Sequence, residues 1–269
     1  MTDKLIDSGP VLLDLDADGV ARLRLNRPEA ANGMNVELLK ALHSAIMLVH
    51  GESRVRAVVL SGEGRHFCAG GDVRDFASKG EGLPDYLREA TSWLQIAVSA
   101  LVQLRPPVIA AVHGFAAGGG GFGLACAADL VVAAESAKFF SGAVRVGMAP
   151  DAGVTVTLAR LVGLRKAMEI LLTNPTLTAR EALDAGLLTK VVPDETVRDE
   201  ALALARTIVA LPPKAIAATK RLLWQGLGSS LDSQLPDEAR TVSELSGTAD
   251  SREGLAAVIV RRSPNFTGE

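Results

Sequence analysis

Two glycine-rich turns stand out as places where backbone amides could hold negative charge. The first lies in the apolar run from Pro107 to Ala125, which reads as a buried strand entering four consecutive glycines, Gly118 to Gly121, and then an apolar helix. Glycine lets the backbone approach a ligand closely, and a helix N-terminus offers unpaired N–H groups at the positive end of its dipole. The second turn, F67-C-A-G-G-D72, follows another apolar strand, V55-R-A-V-V-L-S61. Together the two turns could each aim one N–H at a single oxygen, as a reaction that develops an oxyanion requires. Such a site needs a group that attacks or moves a proton. Asp151, in G147-M-A-P-D-A-G153, is the strongest candidate.

Each of these residues also has a plain structural role to weigh. By position alone Asp151 is best read as the N-cap of a helix over 154–161, and Asp72 as the cap of one over 73–77. Asp129 fits a strand start where its carboxylate bonds backbone. His113 reads as a core histidine and His66 as an exposed one, while Arg261 and Arg262 fit a solvated face or a phosphate contact. The four histidines show no ligand spacing with cysteines or carboxylates, so no metal is expected. The two cysteines, Cys68 and Cys126, sit in apolar or glycine-rich context and read as reduced, buried thiols.

The elements that would position these groups can be read from periodicity and turn signals. D16-A-D-G19 predicts a hairpin between strands around 11–15 and 20–25. Asn35 predicts a cap for a helix over 36–49, and a long amphipathic helix fits 83–104, ended by Pro106 and Pro107. Strands are expected at 108–112 and 129–134, with a helix to Ala127 between them. Helices follow at 154–161, 165–172 and 179–185, the last capped by Thr178, and V191-V192 fits a final strand. Strand-then-helix alternation implies an α/β core with active groups at strand ends. The division expected is a core over 1–200 and a helical region over 201–269. The chain of 269 residues is 48% apolar and can bury a large interior. A net charge of −3 with no basic stripe argues against nucleic acid as a partner. The N-terminus has no signal-peptide pattern and no apolar stretch is long enough for a bilayer, so a cytoplasmic location and no membrane partner are expected.

The motifs H66-F-C-A-G-G-D72, the run V108 to D129 and A179-R-E-A-L-D-A-G-L-L188 resemble the crotonase, or enoyl-CoA hydratase/isomerase, superfamily. So do L25-N-R-P28 and S263-P-N-F266. The resemblance spans about residues 10–266 and implies an α/β spiral of ββα units with a C-terminal helical region that builds trimers, often paired as hexamers. It implies an acyl-CoA thioester as substrate and no separate cofactor, coenzyme A being part of that substrate. Carried over by position, the thioester oxygen would be held by the N–H groups of Gly71 and Gly120. The second register is fixed only to within one residue, because four glycines run together. Ala69 and Asp72 would fall in the adenine-side loop, and Phe266 would border the nucleotide. Typical hydratases carry two glutamates where this chain has Gly123 and Ala143, which turns the expectation away from hydration. Asp151 falls where isomerases place a catalytic aspartate, and the resemblance therefore favours a proton-shuttling carboxylate over a cap. The match to 4-chlorobenzoyl-CoA dehalogenase, with Asp151 as nucleophile, is weakened by Ser99 near the position of that enzyme's histidine. Hydration without the glutamates and a non-catalytic acyl-CoA binder are the remaining alternatives.

Overall fold

The structure is a computed structural model that describes residues 2–269. Strands β1 (Asp3–Ile6), β2 (Val11–Leu15) and β3 (Val20–Leu25) form an antiparallel start, with D16-A-D-G19 closing the second hairpin. Helix α1 (Val36–Gly51) follows, capped by the Asn35 side chain on Leu38 N–H. Strand β4 (Ala57–Gly62) then pairs parallel to β3 and leads through the first glycine turn to α2 (Val73–Ser78) and α3 (Leu83–Val102). Next come β5 (Val108–Val112), β6 (Phe115–Ala117) and α4 (Gly118–Ala127), then β7 (Leu130–Ala134) and β8 (Lys138–Phe140). Helices α5 (Val154–Val162) and α6 (Leu164–Thr173), strand β9 (Leu177–Thr178), helix α7 (Ala179–Asp184) and strand β10 (Lys190–Val192) complete the sheets. Four helices end the chain: α8 (Val197–Val209), α9 (Pro213–Gly226), α10 (Leu231–Ser246) and α11 (Ala249–Val260).

The main sheet runs β1-β2-β3-β4-β5-β7-β10, parallel from β3 onward, and a small sheet runs β6-β8-β9. Every residue of β4 and β5 is buried, which explains their unbroken apolar runs: helices cover both faces of a parallel sheet. Helix α1 packs on β2, β3 and α3, while α8 packs on β3, β4, β5 and β7. Helix α8 thus crosses residue 200 while packing against the sheet. The chain then turns at Pro212–Pro213.

Helix α9 is tied back to the sheet by a buried ion pair, Lys220 Nζ to Asp129 Oδ2 at 2.7 Å. Asp129 also accepts from Val108 N–H at 2.7 Å and from Trp224 Nε1 at 3.1 Å, so its expected backbone role holds and is extended. Among the described residues no single helix is long and apolar enough to cross a membrane.

Candidate active site

The two glycine turns lie side by side because the segment after β4 pairs with β6 like an extra strand. Phe67 N–H donates to His113 O at 2.8 Å, Cys68 N–H to Phe115 O at 3.0 Å, and Ala117 N–H to Cys68 O at 2.9 Å. On its other side the segment is stitched to Met34, whose N–H donates to Gly70 O at 2.8 Å while Asp72 N–H donates to Met34 O at 2.9 Å. These bonds engage Gly70 and Asp72 and leave the N–H of Gly71 between them without a backbone partner among the described residues. The fully buried Asn32 amide fixes the loop from below, donating to the carbonyls of Glu63, His66 and Phe67 and accepting from Arg27 N–H.

Gly118 opens α4 with φ +60°, a conformation that carries a penalty for any residue with a side chain. It is also pressed against the first turn: a Cβ there would sit 3.0 Å from Gly70 Cα and 3.6 Å from Gly71 N. With Ala117 as N-cap and no side-chain cap, the N–H groups of Gly118, Gly119 and Gly120 precede the first intrahelical bond. Among these three, Gly118 and Gly119 are partly exposed, whereas Gly120 is buried with Met34 Sδ and Cys68 Sγ 2.8 and 3.0 Å from where its Cβ would be.

Asp151 joins this cluster at Gly119. A Cβ on Gly119 would overlap Asp151 Oδ1 and lie 2.6 Å from Cγ, so the carboxylate rests directly on the glycine backbone. The capping role expected from position is not observed. The N-cap of α5 is Gly153, at φ +75° and without a side-chain cap, and only the backbone carbonyl of Asp151 accepts from Val154 N–H. The carboxylate is half-buried, has no ion pair among the described residues, and is pushed by burial above the usual carboxylate range. Its own backbone N–H pulls weakly the other way.

The positions of the two missing glutamates can also be inspected. A Cβ on Gly123 would lie 2.6 Å from Ala152 Cβ and 3.4 Å from Val154 Cγ2, so the segment after Asp151 fills the space a side chain would need. Ala143 lies in a short 3-10 turn, Ala143–Val146.

Of the residues singled out in the sequence, Ala69, Gly71, Asp72, Gly120 and Asp151 converge around these two turns. Ala69 donates its N–H to Ala31 O at 3.0 Å. Asp72 caps α2 as expected, accepting from Asp75 N–H, and pairs with Arg27 at 3.1 Å. Phe266 lies elsewhere in the chain: its ring packs on Gly254 and its carbonyl accepts from Arg56, which precedes β4, whereas Gly71 follows that strand's far end. His66 is half-buried rather than exposed, its ring stacked on Phe115 at 4.5 Å because the segment carrying it pairs alongside β6. His113 bonds Gly64 O through Nε2 at 3.0 Å, and burial lowers its pKa. Arg262 is engaged by Glu253. Sequence reasoning missed Gly119 as the aspartate's seat and Asn32 as the support of the first glycine turn. Nothing local marks them, since each acts through a partner distant in sequence.

Comparison with known proteins identifies the family. The family model described as enoyl-CoA hydratase/isomerase matches residues 16–269. The chain belongs to the enoyl-CoA hydratase/isomerase family. A Rhodobacter capsulatus protein named probable enoyl-CoA hydratase is 41% identical over 252 residues, covering 94% of this chain and 96% of the relative. The 1,2-epoxyphenylacetyl-CoA isomerase of Escherichia coli (strain K12) is 38% identical over 253 residues, covering 93% of this chain and 96% of the relative. The crystal structure of enoyl-CoA hydratase from Bacillus anthracis superimposes with a TM-score of 0.92 at 32% identity, covering 97% of this chain and all of that one. The architecture is thus the crotonase fold, and the chain is an enzyme of the enoyl-CoA hydratase/isomerase family.

Proposed function

We propose that this enzyme isomerises an unsaturated acyl-CoA thioester through an enolate, with Asp151 as the single acid/base. The thioester oxygen accepts from Gly71 N–H and from one N–H at the start of α4. Exposure and the Asp151 contact favour Gly119 for that second donor over the neighbouring Gly120. Asp151 takes an α- or γ-proton from the acyl chain. The C–H electron pair moves into the carbon framework and onto the thioester oxygen, where the two amides stabilise the charge. Loss of one such donor in other enzymes raises the barrier by about 3 kcal/mol. Collapse of the dienolate then recovers the proton from Asp151 at the other carbon, which shifts the double bond with no net change in atoms.

The observation that carries this reading is the Asp151 carboxylate, not used as a cap, without an ion pair among the described residues, and half-buried against the glycine turn. Its raised pKa suits a group that must both accept and donate a proton. Hydration needs a second carboxylate to activate water, and the space at Gly123 is already filled by Ala152 and Val154. The Escherichia coli relative named 1,2-epoxyphenylacetyl-CoA isomerase supports isomerase chemistry, while the relatives named hydratase keep water addition as the competing outcome.

In the same reading Ala69 and Asp72 border the adenine side of the coenzyme A. Phe266, remote within its own chain, would reach a nucleotide only across a subunit boundary in a trimer or hexamer. Exposed apolar residues on the C-terminal helices, among them Leu223, Leu231, Val258 and Ile259, fit such an assembly. The test is to incubate the enzyme with 2-enoyl-, 3-enoyl- and arylacetyl-CoA thioesters in heavy water and read the products by mass spectrometry. Deuterium uptake with a moved double bond supports isomerisation; addition of water would overturn it.

A further inference from the structure

We infer that Phe76 is the wall against which the acyl group packs, and that it selects acyl groups carrying a conjugated ring over flexible saturated chains. The inference rests on the thioester reading of the Gly71 amide given above. Gly71 lacks a side chain for a visible reason: a Cβ there would lie 2.5 Å from Phe76 Cζ and would overlap Cε2. The ring therefore occupies the side of Gly71 that any other residue would fill. In this inference the carbons attached to a carbonyl held by Gly71 N–H run past this ring, which is only half-buried and keeps surface to offer.

The ring is also held in place. Tyr86 meets it edge-to-face, with centroids 6.1 Å apart and planes at 63°. The Tyr86 hydroxyl is fixed from two directions, donating to the Asp75 carboxylate and accepting from Val36 N–H at 3.1 Å. Lys79 stands over the Tyr86 ring at 4.3 Å and pairs with Asp75 at 2.7 Å. Helix α2 itself buries no residue, so the contacts of Phe76 and the Asp72 cap anchor it. An aromatic ring that cannot swing away presents a flat, rigid surface. Another ring stacks on such a surface or meets it edge-on, whereas a saturated chain gains only ordinary contact and loses rotamer freedom.

The experiment measures binding without turnover, using the Asp151→Asn protein with cinnamoyl-CoA and hexanoyl-CoA in titration calorimetry. Adding Phe76→Leu should raise the Kd of cinnamoyl-CoA about tenfold and leave that of hexanoyl-CoA within about twofold, the size expected for one aromatic pair. Phe76→Tyr should restore the preference. Tyr86→Phe, which frees the clamp while keeping both rings, should weaken cinnamoyl-CoA alone by a smaller factor. Equal losses for both ligands, or no change for either, would overturn the assignment of Phe76 while leaving the thioester site standing. If the Asp151→Asn protein with Phe76 intact binds neither thioester, the reading of the Gly71 amide fails and the wall falls with it.

Discussion

The Asp151 carboxylate rests on the Cα of Gly119, with no room between them for a methyl group. This contact joins a carboxylate raised in pKa by burial to the amide-rich start of α4, and the chemistry proposed for the enzyme depends on it. Gly119→Ala should therefore push the carboxylate off its seat and lower kcat/KM at least a hundredfold. The fold should tolerate it, because the obstructing group is a side chain that can rotate. Steady-state kinetics beside a thermal melt would check both halves.

Gly121 makes the opposite case. A Cβ there would overlap the carbonyl of Cys68 and lie 3.0 Å from Ala116 Cα, both backbone atoms of the paired segments. Gly121→Ala should cost more than about 2 kcal/mol of stability, since backbone cannot yield as a side chain does. Urea unfolding of the two alanine variants side by side should separate a catalytic defect from a structural one.

Stability should depend on the charge of Asp151 with a definite sign. Burial raises its pKa in the folded state, so between the ordinary value of 3.8 and the raised one the native protein holds more protons than the unfolded chain. Stability is then lost as pH rises through that window, and at neutral pH the ionised carboxylate is a net destabiliser. Asp151→Asn should raise the Tm at pH 7, with the gain vanishing below the ordinary carboxylate pKa. A Tm-against-pH series on both proteins would show a constant or reversed difference if the carboxylate were not desolvated.

The same shift bears on turnover. As a base Asp151 must be ionised in the free enzyme, so kcat/KM should fall with decreasing pH at a value above 3.8. A pH–rate profile that stays flat down to the ordinary aspartate range would remove Asp151 as the base.

The buried Lys220–Asp129 pair should hold α9 onto the sheet. Lys220→Met leaves the half-buried Asp129 with two hydrogen bonds but no countercharge, and should destabilise by about 3 kcal/mol. Adding Asp129→Asn should recover part of that loss, a coupling that a double-mutant cycle in urea measures directly.

Much of this was legible in the sequence where the physics is local. The caps Asn35, Asp72 and Thr178 are used as expected, because a short polar side chain before an apolar helix reaches that helix's own N–H groups. The buried strands β4 and β5 announce themselves by unbroken apolar runs. Asp151 looked like a fourth cap and is not one, since Gly153 takes a left-handed conformation at the cap position and the carboxylate turns instead onto Gly119. Choosing among Gly118 to Gly121 was beyond local reasoning for the same cause. Which glycine meets a carboxylate and which meets sulfur is decided by segments 32 to 86 residues away, at Met34, Cys68 and Asp151. The small sheet β6-β8-β9 left no signal either, its strands being two or three residues long. Helix α8, most of which falls beyond the expected boundary at residue 200, packs on four strands of the main sheet, a partner its sequence alone does not name.

The most direct test of the central claim is deuterium exchange into a bound enoyl-CoA thioester by the Asp151→Asn protein, measured beside its Kd for the same ligand. The account expects binding within about threefold of the Asp151 enzyme and exchange slowed at least a thousandfold. Exchange that persists at the unaltered rate with binding intact would contradict it and take Asp151 out of the mechanism.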